Sequence, residues 1–359
     1  MNGSIEVLAS LLPETADAAL IISNENRRYF TGFVSSLGYL LVTKKQAYLL
    51  VDFRYAEAAK TQAKGCEVIS YSSFAESLTE IITGNGIKNI LLEGSAFTLN
   101  GAEDIDKILK KCGAESIKNA ELDKIIGKLR IVKTASEVDK IIKAQRITEQ
   151  ALTETLRLIK EGDMEKDIAL ELEYKMRKLG AEGVSFDLIV ISGEKTSMPH
   201  GVPGENKIKK GDFITFDIGA LYQGYHSDMT RTYAFGEVSE KQKRVYNTVL
   251  EAQKLGLEAV KSGVLCKDVD AAARDYIYQA GFEGCFGHST GHGVGLEIHE
   301  QPFVSQKSDT VLQSGMVITV EPGIYLPGEF GVRIEDMVVV TADGCINLAT
   351  LPKELSVKL

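Results

Sequence analysis

GDFITFDIG (residues 211–219) and GMVITVEPG (residues 315–323) are one phrase written twice: Gly, Ile, Thr, a carboxylate and Gly recur at a constant offset. Two shorter pieces upstream repeat in the same order. EGDMEKD (161–167) matches SGVLCKD (262–268), and LGAEG (179–183) matches AGFEG (280–284). Repetition at a fixed period signals a duplicated structural unit. Each copy reads as helix, helix, then strands, so two copies predict a pseudo-two-fold sheet covered by helices.

Both phrases continue into what reads as a β-hairpin. FITFDIGALYQGYHSDMTRT turning about Tyr222 and Gln223 sets Asp217 directly opposite Asp228. VITVEPGIYLPGEFGVRIED turning about Pro327 and Gly328 sets Glu321 opposite Glu335. Directly opposed side chains have Cβ atoms roughly 4.5–5.5 Å apart, and like charges there repel. Gathering four buried carboxylates costs several kcal/mol per ion unless cations compensate them. Two divalent cations match the four carboxylates in charge. Any one strand acid taken alone is an ordinary surface charge; four at symmetric places in a duplication are not.

The chain has five histidines, and three of them, His288, His292 and His299, fall within the Gly-rich stretch FGHSTGHGVGLEIHE between the two hairpins. His200 lies in SMPHG and His226 in GYHSD, the latter the weakest candidate. Imidazoles on irregular backbone beside a carboxylate cluster point to a site. Carboxylates with one or two imidazoles suit Mn, Co or Fe, and Zn remains open. Two such ions lower the pKa of a shared water, which is hydrolytic chemistry. Gly291, Gly293 and Gly295 miss the G-x-G-x-x-G spacing, and SGEKTS lacks the Gly-Lys pair of a P-loop, so neither nucleotide motif stands.

Ahead of the duplication, residues 18–93 alternate strand-like runs (AALIIS, GYLLVT, AYLLVD, NILLEG) with helix-like stretches starting near Arg54, Phe74 and Asn100. That alternation predicts an α/β layer domain. Residues 118–133 are mixed and charged. Thr134 with Glu137 forms a capping-box pattern before a long apolar-periodic run. The domains expected are residues 1–130 and 131–359, giving an α/β (α+β) chain.

A length of 359 residues suits two domains. Net charge of -9 disfavours sequence-independent binding to nucleic acid or anionic membrane. No apolar run approaches the ~20 residues that span a bilayer. The N-terminal residues lack a secretion-signal pattern, which leads to a cytoplasmic expectation. Five scattered cysteines without CxxC spacing indicate reduced, mostly buried thiols.

Taken together, SMPHG, FDIGALYQGYHSDMTRT, GHSTGHGVGLEIHE, VEPGIY and GVRIED resemble the catalytic domain of the pita-bread metallopeptidases, the branch of aminopeptidase P and prolidase. NRRYFTGF (26–33) and VDFRY (51–55) resemble its creatinase-type N-terminal domain. The resemblance implies that Asp217 chelates one metal, Asp228 and Glu335 bridge two, and His292 and Glu321 complete the second. It further implies that Glu321 accepts a proton from the metal-bridging water, which attacks the scissile carbonyl as hydroxide. His200 and His299 would stabilise the tetrahedral intermediate or steer substrate and proton, with His288 nearby and Arg333 orienting a carboxylate ligand; an ion pair of Arg333 with Glu335 or Asp336 is the plainer alternative. Hydrolysis of Xaa-Pro bonds at the N-terminus of short peptides, manganese as the metal and a homodimer follow from the same resemblance. A prolidase, a methionine aminopeptidase or a non-catalytic binding protein on the same fold are the alternatives.

Overall fold

The structure, a computed structural model, describes residues 4–355. The chain divides into two compact units, Met1–Arg130 and Ile131–Leu359.

The first unit is built on a six-stranded mixed sheet, in the spatial order Glu67–Tyr71, Ala47–Asp52, Tyr39–Thr43, Ala18–Ile21, Asn89–Leu92 and Glu115–Ile117. Its four inner strands are apolar at consecutive positions because both faces are covered. Alternate residues go to different cores: Ala19, Ile21, Leu40, Val42 and Leu49 to one, and Ala18, Leu20, Leu41 and Leu50 to the other. Helices start at Phe53, Phe74 and Leu99, each capped by the preceding Asp52, Ser73 or Thr98. The charged stretch before the second unit is itself helical, Glu121–Ile131, with Leu122, Ile126 and Leu129 buried on one face.

The second unit carries the duplication in its backbone. Helices Ala135–Leu156 and Glu165–Lys178 open the first copy, and Glu240–Ala259 and Cys266–Ile277 open the second. Thr134 and Glu137 form the capping box that starts the first of these. Just before the second helix of each copy the same crossing recurs. Met164 bridges Lys207 and Leu265 bridges Val311. Gly162 N donates to Ile208 O at 2.9 Å, and Gly263 N to Leu312 O at 2.9 Å. Gly211 and Gly315, which open the repeated phrases, both sit at φ 91°. Strands Asp212–Ile218 and Val317–Val320 are the equivalent central strands, each flanked by antiparallel neighbours.

The two hairpins differ in register. In the first, Leu221 pairs with His226 and Tyr222 with Tyr225, so Gln223 and Gly224 make the turn. Both have positive φ, 48° and 79°, as a type I′ turn demands. Asp217 therefore lies opposite Thr230, and Asp228, which just precedes the strand Met229–Phe235, is its diagonal neighbour. This corrects the expected direct opposition: the turn centres one residue later because Gly224 accepts a left-handed conformation without cost. In the second hairpin Gly323 pairs with Arg333 and Leu326 with Phe330, leaving Pro327, Gly328 and Glu329 as the turn. The adjoining ladder pairs Val320 with Asp336 in the same register, so Glu321 and Glu335 do face each other at the break between the ladders.

The cysteines are free, but only Cys266 is buried and the other four are half-buried, which corrects the expectation of mostly buried thiols. Among the described residues no helix is long and apolar enough to cross a membrane.

Candidate metal centre

The repeated strands bring their carboxylates to one cavity of about 600 Å³. Asp217 comes from the end of Asp212–Ile218, and Glu321 follows Val317–Val320. Asp228 and Glu335 each stand one residue before a return strand. His292 is the middle residue of the short strand Gly291–Gly293, and the ladder to the next strand breaks register between His292 and Gly293; His288 and His299 lie outside strands. Gly291 has to be glycine because a Cβ there would meet Thr319 O at 2.0 Å. That close approach packs the His292 strand against the strand leading to Glu321, and His292 N donates to Thr319 Oγ1 at 3.0 Å.

All five expected ligands and His200, His288, His299 and Arg333 line this cavity. One ligand atom from each of Asp228, His292 and Glu335 lies within 4.8 Å of the others, and all three residues are buried. His226 is held elsewhere by Ser185 Oγ, 3.0 Å from its Nδ1, and does not line the cavity.

The polar atoms left over have the character of metal ligands. His292 Nδ1 lies 3.1 Å from Gly293 O. A carbonyl only accepts, so Nδ1 carries the proton and Nε2 presents a lone pair. That lone pair faces Asp228 Oδ2 at 3.5 Å and Glu321 Oε1 at 3.4 Å, long for hydrogen bonds. Burial also lowers the pKa of His292, favouring the neutral ring. Asp217 Oδ1 and Glu335 Oε1 are buried without a hydrogen-bond partner. Lone pairs converging on lone pairs, with orphaned carboxylate oxygens beside them, fit divalent cations.

The carboxyl groups register the same conflict. Burial, then the charges of Asp217 and Glu321, raises the Asp228 carboxyl well above its ordinary value. Burial, then Asp228, Glu321 and Asp217, does the same to Glu335. Burial pushes Glu321 up to about 8 despite the opposing charge of Arg333. These are the shifts expected of acids crowded together without a compensating cation.

Around the carboxylates runs a hydrogen-bonded frame. Arg333 Nη2 donates to Asp217 Oδ2 at 2.6 Å, its Nη1 to Tyr325 Oη at 2.7 Å and its Nε to Thr230 Oγ1 at 3.1 Å. Thr230 Oγ1 donates to Glu335 Oε2 at 2.7 Å, and Thr319 Oγ1 to Glu321 Oε1 at 3.0 Å. The carboxylate that Arg333 holds is thus that of Asp217, and it makes no ion pair with Glu335 among the described residues. The plainer alternative partner Asp336 pairs with Arg231 instead, at 2.8 Å. Against the cost of burial, the Tyr325 oxygen and the Asp217 and Glu321 carboxylates hold Arg333 protonated.

His288 Nδ1 lies 2.8 Å from Ser289 O, so its Nε2 accepts from Tyr325 Oη at 2.9 Å. Burial, helped by Arg333, drops His288 to about 4 and keeps it neutral. Tyr325, Thr230 and Thr319 escaped sequence reasoning. Tyr325 and Thr230 stand inside the motifs VEPGIY and DMTRT, and Thr319 inside the repeated phrase, so their proximity to the acids was the available signal. Phe186, Leu188, Val202, Pro203, Ile298 and Phe303 add apolar surface to the cavity lining.

Comparison with known proteins matches both units of the chain. Residues 139–342 match the model of metallopeptidase family M24, and residues 7–132 that of the creatinase/prolidase N-terminal domain. The chain is 39% identical to a Xaa-Pro dipeptidase of Pyrococcus horikoshii over 99% of both chains. Among solved structures, a Xaa-Pro dipeptidase from Bacillus anthracis superimposes with a TM-score of 0.94 at 43% identity, covering 98% of each chain. An X-Pro aminopeptidase from Thermotoga maritima gives 0.89 at 40% identity, covering 95% of this chain and 97% of that one. The chain belongs to metallopeptidase family M24, the pita-bread peptidases, and is a peptidase with a creatinase/prolidase N-terminal domain.

Proposed function

We propose that this peptidase hydrolyses the Xaa-Pro bond at the N-terminus of peptides, releasing the first residue, with two divalent cations held by Asp217, Asp228, His292, Glu321 and Glu335. The observation that carries the reading is the approach of Asp228 and Glu321 to the His292 lone pair, with Glu335 clustered beside Asp228 and His292, Asp217 on the same cavity, and Asp217 Oδ1 and Glu335 Oε1 without a hydrogen-bond partner among the described residues. Bound cations would lower the pKa of water and polarise the scissile carbonyl. A carboxylate-dominated donor set favours manganese.

The remaining chemistry falls to the chain's own groups. Glu321, oriented by Thr319, accepts the proton of the attacking water and returns it to the leaving proline nitrogen. His200 and His299 face the same cavity and donate to the oxygen on which charge develops. Arg333 and Tyr325 keep Asp217 and His288 in place. The apolar lining residues suit the proline ring. A bond before proline lacks the N–H through which extended substrates are commonly gripped, so recognition has to come from shape.

Release of one residue from longer peptides is supported by the cavity's charge. Arg333 is the one lining residue with a permanent positive charge, and it is committed to Asp217 and Tyr325. No uncommitted Lys or Arg lines the described cavity to select a free carboxylate next to the scissile bond. The second reading, a dipeptidase, is favoured by the names of the Pyrococcus horikoshii and Bacillus anthracis relatives.

Mass analysis of products from Xaa-Pro, Xaa-Pro-Yaa and Met-Ala peptides with manganese separates the readings. Release of Xaa from Xaa-Pro-Yaa is expected. Cleavage of Xaa-Pro alone establishes the dipeptidase, and cleavage of Met-Ala alone defeats the proline assignment.

A further inference from the structure

The segment carrying His200 is fastened by an acid that takes no part in the chemistry above. Glu165 is the first residue of the helix Glu165–Lys178 and is fully buried. Its Oε1 accepts from Ser192 N at 2.7 Å, Ser192 Oγ at 3.2 Å and Asn206 Nδ2 at 3.1 Å. Its Oε2 accepts from Lys195 Nζ at 2.8 Å and Gly204 N at 3.1 Å. These donors belong to the two feet of one loop. Between the feet the chain runs through the 3-10 turn Gly193–Ser197 to Pro199, His200, Gly201, Val202 and Pro203, all on the cavity.

Lys195 extends the fastening upward by donating also to Val202 O at 2.5 Å. Arg333 Nη1 holds the apex through Pro199 O at 3.3 Å. Gly201 packs closely on Ile191 and Met198, where a Cβ would come within 2.9 Å of Ile191 Cδ1 and 3.3 Å of Met198 O. His200 therefore stands on a loop fixed at its feet by one carboxylate and at its apex by the arginine that also holds Asp217.

The second half meets the same need from the same helix face. The residue equivalent to Glu165 is the buried, apolar Cys266, and the acid appears one turn later as Asp270. Asp270 accepts from Thr290 Oγ1 at 2.8 Å and from Arg274 Nε at 2.7 Å. Arg274 in turn donates to the carbonyls of Phe286 at 2.8 Å and His288 at 2.7 Å. A buried acid whose only task was to fill space would be replaceable by an apolar group, as Cys266 shows. In both halves the acid stands instead where it can hold a histidine-bearing loop.

We propose that Glu165 is a positioning residue for His200, setting the imidazole against the reacting carbonyl by closing the 192–206 loop. The proposal rests on His200 acting in the reaction. The test is a double-mutant cycle of Glu165→Gln and His200→Ala, reading kcat and KM on an Xaa-Pro-Yaa peptide with metal content and Tm. Gln keeps the volume but places an amide where Oε2 accepts from Lys195 and Gly204. Small displacements of a reacting group cost up to about 100-fold. Glu165→Gln is expected to lower kcat roughly 10- to 100-fold, with KM and metal content nearly unchanged.

In the His200→Ala background the same change is expected to cost less than about twofold, because residues acting as a unit are not additive. An equal loss in both backgrounds overturns the positioning role. Undiminished turnover in His200→Ala alone overturns the assignment of His200, and the proposal with it. If Glu165→Gln does not fold, Lys195→Met cuts the link to Val202 O and reads the same coupling in the same cycle.

Discussion

In the first half of the catalytic unit the chain reverses over two residues, Gln223 and Gly224, and Asp228 lands diagonal to Asp217. In the second half it reverses over three, Pro327, Gly328 and Glu329, and Glu335 lands opposite Glu321. The cavity receives both pairs all the same. A strand presents alternate residues to one face, so moving a partner by two positions changes its distance and not its face. The site can tolerate either spacing of its acids, but a slip of one residue would turn Asp228 away from the cavity.

The halves also divide the labour. The first-half Asp217 is tied to Arg333 at 2.6 Å, whereas among the described residues the second-half Glu321 accepts only from Thr319 Oγ1 and faces the His292 lone pair. Glu321→Gln is expected to lower kcat by roughly 10²–10⁴-fold, the range of a lost general base. Steady-state kinetics on an Xaa-Pro-Yaa peptide checks it. Turnover within a few-fold of the parent would transfer the proton-accepting role to another group.

A pH effect of intermediate size follows from the crowding of the two pairs. The folded chain without metal holds the Glu321 proton to about pH 8, against an ordinary value of 4.5. The folded state thus binds the proton more tightly than the unfolded chain. Its stabilising effect is complete below the unfolded value and is lost as pH rises through about 8. Asp228 and Glu335 shift in the same direction. Chelator-treated protein should lose several degrees of Tm between roughly pH 5 and pH 8.5, and added manganese should restore them most at the upper end. Calorimetry across that range reads both. A metal-free Tm that rises over the window would mean that the acids are not in conflict.

The smallest effect tests the turns themselves. Gln223 is the one non-glycine residue with positive φ among those described, at 48°. Asn tolerates that conformation better and is the favoured first residue of a type I′ turn. Gln223→Asn should stabilise the protein by about 0.5 kcal/mol with turnover unchanged, as read by denaturant melts. A loss of turnover would mean that the turn sets the position of Asp228 more finely than the alternation of faces requires.

Much of this was legible beforehand because it depends on local pattern. Unbroken apolar runs such as AALI announced strands covered on both faces, and the repeated glycine-to-glycine phrase announced the duplication and its acids. The hairpin register was harder, since it turned on a left-handed Gln223 that no side-chain preference advertises. The helix Glu121–Ile131 keeps its buried stripe of Leu122, Ile126 and Leu129 at helical spacing, but it spans only about three turns and the charged residues of its other faces make the stretch read as mixed. The frame of Tyr325, Thr230 and Arg333 joins strands about a hundred residues apart in the case of Thr230 and Arg333. Contacts of that range are set by how the two copies pack, and local spacing does not carry them.

The most direct check on the central claim is the divalent metal content of the purified protein beside that of Asp228→Ala, measured after loading with manganese and removal of excess ion. Two ions per chain in the parent, and loss of both in a variant that keeps its fold, are the results expected. One ion or none in the parent, or two in the variant, would contradict a centre built from the acids of both halves.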